Sequence, residues 1–299
     1  MASLYSHKEA NIRKTWLLFT GFLITVIGFG WVLSQVYNNP EILYIFAGFS
    51  MITSLVSYWY SDKIVLAMAR ATPVDMKSNP ELYRMVENLA MTAGLPMPKV
   101  YTVPERALNA FATGRNPEHS VIAVTEGALQ ALNRTELEGV LAHELSHIGN
   151  RDMLVGTVAV ILVGFISLIS DMFLRQMVWG GMRRDNDRSG GPIYIVLAIV
   201  VSVLAPISAT LMQLAISRRR ESLADTSGAL LTRYPEGLAS ALEKIGKDMT
   251  PMRVANNTTS HLWIDDPFTG QARTSWFHRL FMTHPPIEER IKALRDLKI

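Results

Sequence analysis

The chain has 299 residues and no cysteine. That excludes disulfide staples, thiolate metal sites and a cysteine nucleophile. Charge is scarce: Asp, Glu, Lys and Arg make up 18% of residues, against roughly 25% in ordinary soluble domains. Hydrophobic residues reach 49%, and the mean hydropathy is +0.18. Such a composition excludes a disordered chain and a collagen-like one. The balance of 29 basic against 26 acidic residues is too even for a nucleic-acid partner. The small positive excess suits an anionic bilayer surface instead. There is no internal repeat and no low-complexity tract.

Charge is not only scarce but absent over long runs. Crossing a hydrocarbon core of about 30 Å takes about 20 apolar residues. Residues 15–40 carry no charged side chain. They follow Lys8, Arg13 and Lys14, and no small-residue cleavage site follows them, so they read as a retained transmembrane helix over about 15–37. Asn38-Asn39-Pro40-Glu41 reads as a tight turn, and residues 42–61 as the returning helix. A third uncharged run covers 153–170 and a fourth begins near Ile193, with Pro206 as a kink. The expected organisation is a cytoplasmic N-terminus (1–14), a transmembrane hairpin (15–60), the first part of a soluble domain (61–152), a second hairpin (153–217) with a polar loop at 172–192, and the second part of that domain (218–299). Basic residues before the first run place the N-terminus and the 61–152 segment inside. The arginines at 175, 183, 184 and 188 sit on the opposite side by parity and depart from that rule.

Between the hairpins, Asn79-Pro80-Glu81 starts a helix with Leu82, Val86, Leu89 and Ala90 as its apolar face, ended by Gly94. Strand-like stretches follow at 99–103, 107–113 and 120–124, reading as a small antiparallel sheet. A further helix is expected to start near Thr135, with Glu138 as capping-box partner, and to run toward the third apolar run. Later helices are expected at 218–232, from Pro235, and after Pro285-Pro286, with a polar loop over 249–276.

The sharpest chemical signal is His143-Glu144-Leu145-Ser146-His147. Four helical residues turn about 400°, so the two imidazoles share one face. Two histidines so placed bind one zinc ion, and the intervening glutamate reaches a zinc-bound water. A third ligand is needed. No third histidine follows at metzincin spacing, and Glu221 is the best candidate. Asp225, one turn later, is placed to orient a ligand imidazole. Two His and one Glu also suit iron. His7, His119, His261 and His278 show no ligand spacing.

These residues, with Thr283-His284-Pro285-Pro286 and Asn109-Ala110-Phe111, resemble the HtpX family of bacterial membrane zinc endopeptidases over nearly the whole chain. CAAX prenyl proteases are more distant relatives with extra transmembrane helices. The resemblance implies an α+β membrane protein: four transmembrane helices and a zincin-like cytoplasmic domain in the bacterial inner membrane. It implies one zinc per chain, held by His143, His147 and Glu221, with Glu144 as general base and acid. His284 matches an oxyanion-stabilising residue, and Arg290 is expected near the Glu221 carboxylate. Asn109, Ala110 and Phe111 match a substrate-binding edge strand. The implied substrates are misfolded or damaged membrane proteins and unfolded polypeptides, in a stress response. The competing reading is a non-catalytic membrane scaffold or transporter with a degenerate metal site. Against it, the four apolar runs carry no ionisable residue, whereas transport pathways use them.

Overall fold

The first two apolar runs fold as helices α1 (Leu4–Val36) and α2 (Glu41–Trp59) of an antiparallel hairpin. The computed structural model describes residues 4–180, 218–253, 262–264 and 285–297. Helix α1 begins well before the apolar run, so the stretch expected as an N-terminal tail is helical from Leu4. At the turn, Asn38 takes a left-handed conformation (φ 48°), and the Asn39 side chain accepts from the N–H of Glu41. Gly30 lets the helices close: a Cβ there would stand 2.5 Å from Cβ of Phe46.

Helix α2 is inverted relative to a helix in water. It buries Ser50, Thr53 and Ser57 and exposes Tyr44, Ile45, Met51, Ile52 and Leu55. The hydroxyls of Ser50 and Ser57 donate back to the helix's own carbonyls, those of Ala47 and Ser54. Small residues at the contact and large apolar ones outward are what a lipid environment selects. Among the described residues, α1 and α2 are each long and apolar enough to cross a membrane.

After a short α3 (Ser61–Met68), the chain enters a mixed layer of β1 (Thr72–Val74), α4 (Pro80–Thr92), β2 (Lys99–Val103), β3 (Ala110–Gly114), β4 (Ser120–Thr125) and α5 (Glu126–Ala131). Asn79 caps α4 by accepting from the N–H of Leu82, and Pro80 fills the first turn. The sheet order is β1-β2-β4-β3. It is not fully antiparallel as expected: β1–β2 and β3–β4 are antiparallel, but β2 and β4 run parallel. The reason is the connection from β2 to β3, which passes beyond the place of β4. β4 then returns between them and shares the direction of β2. Strand β3 starts later than the apolar pattern suggested, because Leu108 donates its N–H to Asp248 outside the sheet.

The sheet separates two cores. Val100, Ala110, Ala112, Ile122 and Val124 face one side, against residues of α4 and the helix of the His-Glu motif. Phe111, Val121 and Ala123 face the other, against Val65 and Leu66 of α3 and Trp263. Strict alternation along a strand puts alternate residues on opposite faces.

The motif helix, α6, spans Arg134–Asn150. Its capping box is formed by Asn133 and Glu136, two residues earlier than expected: Asn133 Oδ1 accepts from the N–H of Glu136, and Glu136 Oε2 accepts from that of Asn133. Thr135 donates to Asn133 instead, and Glu138 pairs with Arg134. Helix α6 does not run on into the third apolar run. Arg151 takes a left-handed conformation (φ 56°), and α7 (Met153–Gly180) departs at 86°. Helix α7 continues past residue 170, where a loop was expected. Leu18, Phe22 and Val26 of α1 pack with Val155, Val158 and Leu162 of α7, so α7 joins the hairpin. Helices α8 (Arg218–Thr232), α9 (Pro235–Lys247) and α10 (Ile287–Arg295) complete the described chain. The fourth apolar run falls outside the described residues, as does most of the 249–276 loop.

Candidate metal centre

Helix α6 carries the histidines and is held at both ends. At its start, Lys244 of α9 donates to Glu136 at 2.7 Å and to the carbonyl of Ala131. At its end, Asn11 of α1 donates to the carbonyl of Asn150. That second contact ties the motif helix to the transmembrane hairpin, at the end where α1 enters its apolar run.

Helix α8 lies against α6 closely enough that only glycine fits at one point. A Cβ on Gly228 would meet the backbone N of His143 at 2.9 Å. This approach brings Glu221, about two turns earlier on α8, to the histidines. Nε2 of His143 and Nε2 of His147 lie 3.1 Å apart. Each is 3.8 Å from a carboxylate oxygen of Glu221. The three residues form a group that could hold a metal ion. Tetrahedral ligands at about 2.0–2.1 Å from zinc stand roughly 3.3–3.4 Å from one another. The observed separations bracket that value, and the two-imidazole, one-carboxylate donor set suits zinc. Glu144 is buried beside them, 2% exposed.

Each imidazole is oriented from behind. Nδ1 of His143 lies 2.9 Å from Oδ1 of Asp225, and Nδ1 of His147 lies 3.1 Å from Oδ1 of Asp152. Carboxylates so placed fix the tautomer that leaves Nε2 free for a metal. Asp225 was expected in this role. Asp152 was not; its signal is an acidic residue five places after His147, just past the helix end. Arg290 was expected near Glu221; its Nε and Nη2 reach the two oxygens of Asp225, one helical turn after Glu221, at 2.9 and 2.7 Å. Its Nη1 donates to the carbonyl of Ile264 at 2.8 Å.

Charge follows geometry. Burial opposes a charge on His147, but Asp152, Glu221 and Glu144 more than offset it and push its pKa up to about 10. Burial raises that of Asp225, but Arg290 and then His143 overcome this and hold it well below the usual carboxylate range.

Asn109, Ala110 and Phe111 lie on or beside β3, the last strand in the sheet, and all are buried. Asn109 is fixed by Thr125, whose Oγ1 accepts from its N–H and donates to its carbonyl. His284 lies outside the described residues.

Residues 76–298 match the model of peptidase family M48. The chain belongs to peptidase family M48. It is therefore a membrane metalloprotease, with zinc as its cofactor. Among curated relatives, the protease HtpX homologue of Thermoanaerobacter pseudethanolicus is 43% identical over 299 residues, covering 99% of this chain and 98% of that one. That of Thermococcus kodakarensis is 46% identical, covering 93% and 94%, and that of Syntrophobacter fumaroxidans 48%, covering 83% and 87%. The crystal structure of S. mikatae Ste24p superposes with a TM-score of 0.51 at 18% identity, covering 95% of this chain and 67% of that one; the likeness is one of fold. Nothing in these relatives supports the scaffold or transporter reading.

Proposed function

We propose that this M48 protease hydrolyses peptide bonds in misfolded or damaged membrane proteins and unfolded polypeptides, from a site on the cytoplasmic face of the bacterial inner membrane. The observation that carries the chemistry is the convergence of His143, His147 and Glu221 with Glu144 buried beside them. Zinc held there supplies Lewis acidity that brings the pKa of a water toward about 7. Glu144 takes the proton of the attacking water and passes it to the leaving amine. Asp225 and Asp152 keep both imidazoles aligned. His284 is assigned to the oxyanion, and β3 to an extended substrate through main-chain hydrogen bonds.

The placement is supported by the contact of Asn11 with Asn150, which sets the site beside the end of α1 that the basic residues mark as cytoplasmic. We assign four spans in all, with α7 as the third and the run from about Ile193 as the fourth. The native chain lacks cysteine, so Met91→Cys and Asn39→Cys report sidedness cleanly. Met91→Cys should react from the cytoplasmic side and Asn39→Cys from the other; the reverse would invert the orientation.

The test of chemistry is degradation of an unfolded protein by the detergent-purified chain beside Glu144→Ala, with zinc content measured in both. Cleavage only by the wild type, with zinc retained in the variant, is the expected result. Equal cleavage would remove Glu144 from the mechanism.

A further inference from the structure

Positive charge gathers, unpaired, at the bend that joins α6 to α7. On α1, Asn11 reaches the carbonyl of Asn150 at 3.3 Å. Leu18, two turns on, packs with Val155 of α7. Lys14 stands between them on the same helical face, so it is held against the bend. Arg220 of α8 comes to the same place. The charge of Asp152, on the bend itself, acts on both cations, and Lys14 and Arg220 repel one another.

The nearby carboxylates are committed elsewhere. Asp152 turns Oδ1 onto Nδ1 of His147 at 3.1 Å. Glu221, which also acts on Arg220, has its oxygens toward the Nε2 atoms of the two histidines. Among the described residues, neither Lys14 nor Arg220 forms a salt bridge. Both are partly buried, so water solvates them incompletely. Two partly desolvated cations share the influence of one carboxylate that is already bonded to an imidazole. An anion from outside the chain would complete the charge.

Position decides which anion. Lys14 is the last charged residue before the uncharged residues 15–40. Trp16 and Leu17, just beyond it, are exposed, and an indole at that depth marks the boundary between headgroups and acyl chains. A molecule seated on Lys14 therefore has apolar surface directly beside it. A small soluble anion has nothing to place there, whereas a phospholipid places its acyl chains there. Basic pockets between spans on the cytoplasmic side suit such headgroups.

We propose that Lys14 and Arg220 form a binding site for the phosphate of an anionic phospholipid, where α1 and α8 meet the α6–α7 bend. The lipid takes up the positive charge that Asp152, turned onto His147, leaves uncovered. The site adjoins the metal centre without sharing a ligand with it. It goes beyond the protease reading and rests only on α1 as a span that begins after Lys14.

The test is native mass spectrometry of the full-length, zinc-loaded protein in detergent, titrated with phosphatidylglycerol and, separately, with phosphatidylcholine. One phosphatidylglycerol should bind first and more tightly; equal binding of the two lipids overturns the proposal. Lys14→Ala and Arg220→Gln should each weaken that first site about fivefold, the equivalent of roughly 1 kcal/mol. Lys14→Arg, which keeps the charge in place, should retain it. Arg13→Ala removes a charge at the same depth from an exposed position and should change little. An equal loss there would show diffuse surface attraction and overturn the built site. Inorganic phosphate at millimolar concentration should not displace the lipid, and displacement would overturn the lipid assignment. Zinc content is measured in every variant; should Arg220→Gln lose its metal, the Lys14 and Arg13 variants still decide. A chain that cleaves nothing would count against the protease reading and leave this binding series intact.

Discussion

Asp152 Oδ1 stands 3.1 Å from Nδ1 of His147, across the bend that ends α6. The bend therefore has a chemical consequence: it turns the second residue beyond the helix back onto the imidazole of His147. Asp152→Ala should weaken zinc binding about 10–100-fold. Asp152→Asn, which keeps an acceptor oxygen, should lose less. Competition with a chromophoric chelator measures both, and wild-type affinity in Asp152→Ala would remove the residue from the site.

Arg290 and Asp225 form a buried pair with two parallel hydrogen bonds. Removing the arginine leaves a buried carboxylate uncompensated, at a cost of about 3–5 kcal/mol. The folded-state pKa of Asp225 lies below its ordinary value, so the pair's stabilisation is in place above roughly pH 4 and lost as pH falls through the lower folded value. Arg290→Ala should lower the thermal midpoint at neutral pH and flatten the acid limb of stability against pH. An unchanged midpoint would show the pair to be dispensable.

His147 responds in the opposite direction. Its folded pKa of about 10 without metal means that a proton occupies the imidazole at neutral pH. Zinc must displace that proton, so apparent affinity should rise about tenfold per pH unit between pH 6 and 8. Chelator competition at several pH values tests this; affinity flat with pH would show that His147 releases no proton on binding.

Gly228 controls the spacing of α8 and α6. The Cβ of Gly228→Ala would press on backbone atoms of Ala142 and His143, which do not yield as a side-chain tip would. Overpacking of this kind costs about 1–3 kcal/mol. Here it should also draw Glu221 away from the histidines and release zinc. Gly164→Ala, where nothing lies within 4 Å, should keep full zinc content.

Local patterns made the His-Glu motif and most helix starts legible in the sequence. Two histidines four apart face the same way in any α-helix, and Pro80 and Pro235 begin helices because a first-turn proline lacks only a bond that is unmade there anyway. The apolar runs announced α1, α2 and α7 because lipid tolerates so few charges. Other features depend on partners distant in the chain. Asn133 outcompeted Thr135 for the cap of α6, a choice that Glu136 and its contact with Lys244, more than a hundred residues on, reinforce. Arg290, which the resemblance placed near Glu221, bonds both oxygens of Asp225, a partner 65 residues away in the chain. The parallel pairing of β2 with β4, the 86° bend and the insertion of Ile264 against Ala110 depend on the path of the chain and on burial from both faces of the sheet. Sequence determined which residues could bind a metal, because that follows from side-chain chemistry and helical period. Tertiary packing alone decided that Asp225 stands behind His143 and that Arg290 grips it, because those are meetings between segments whose separation along the chain carries no periodic signal.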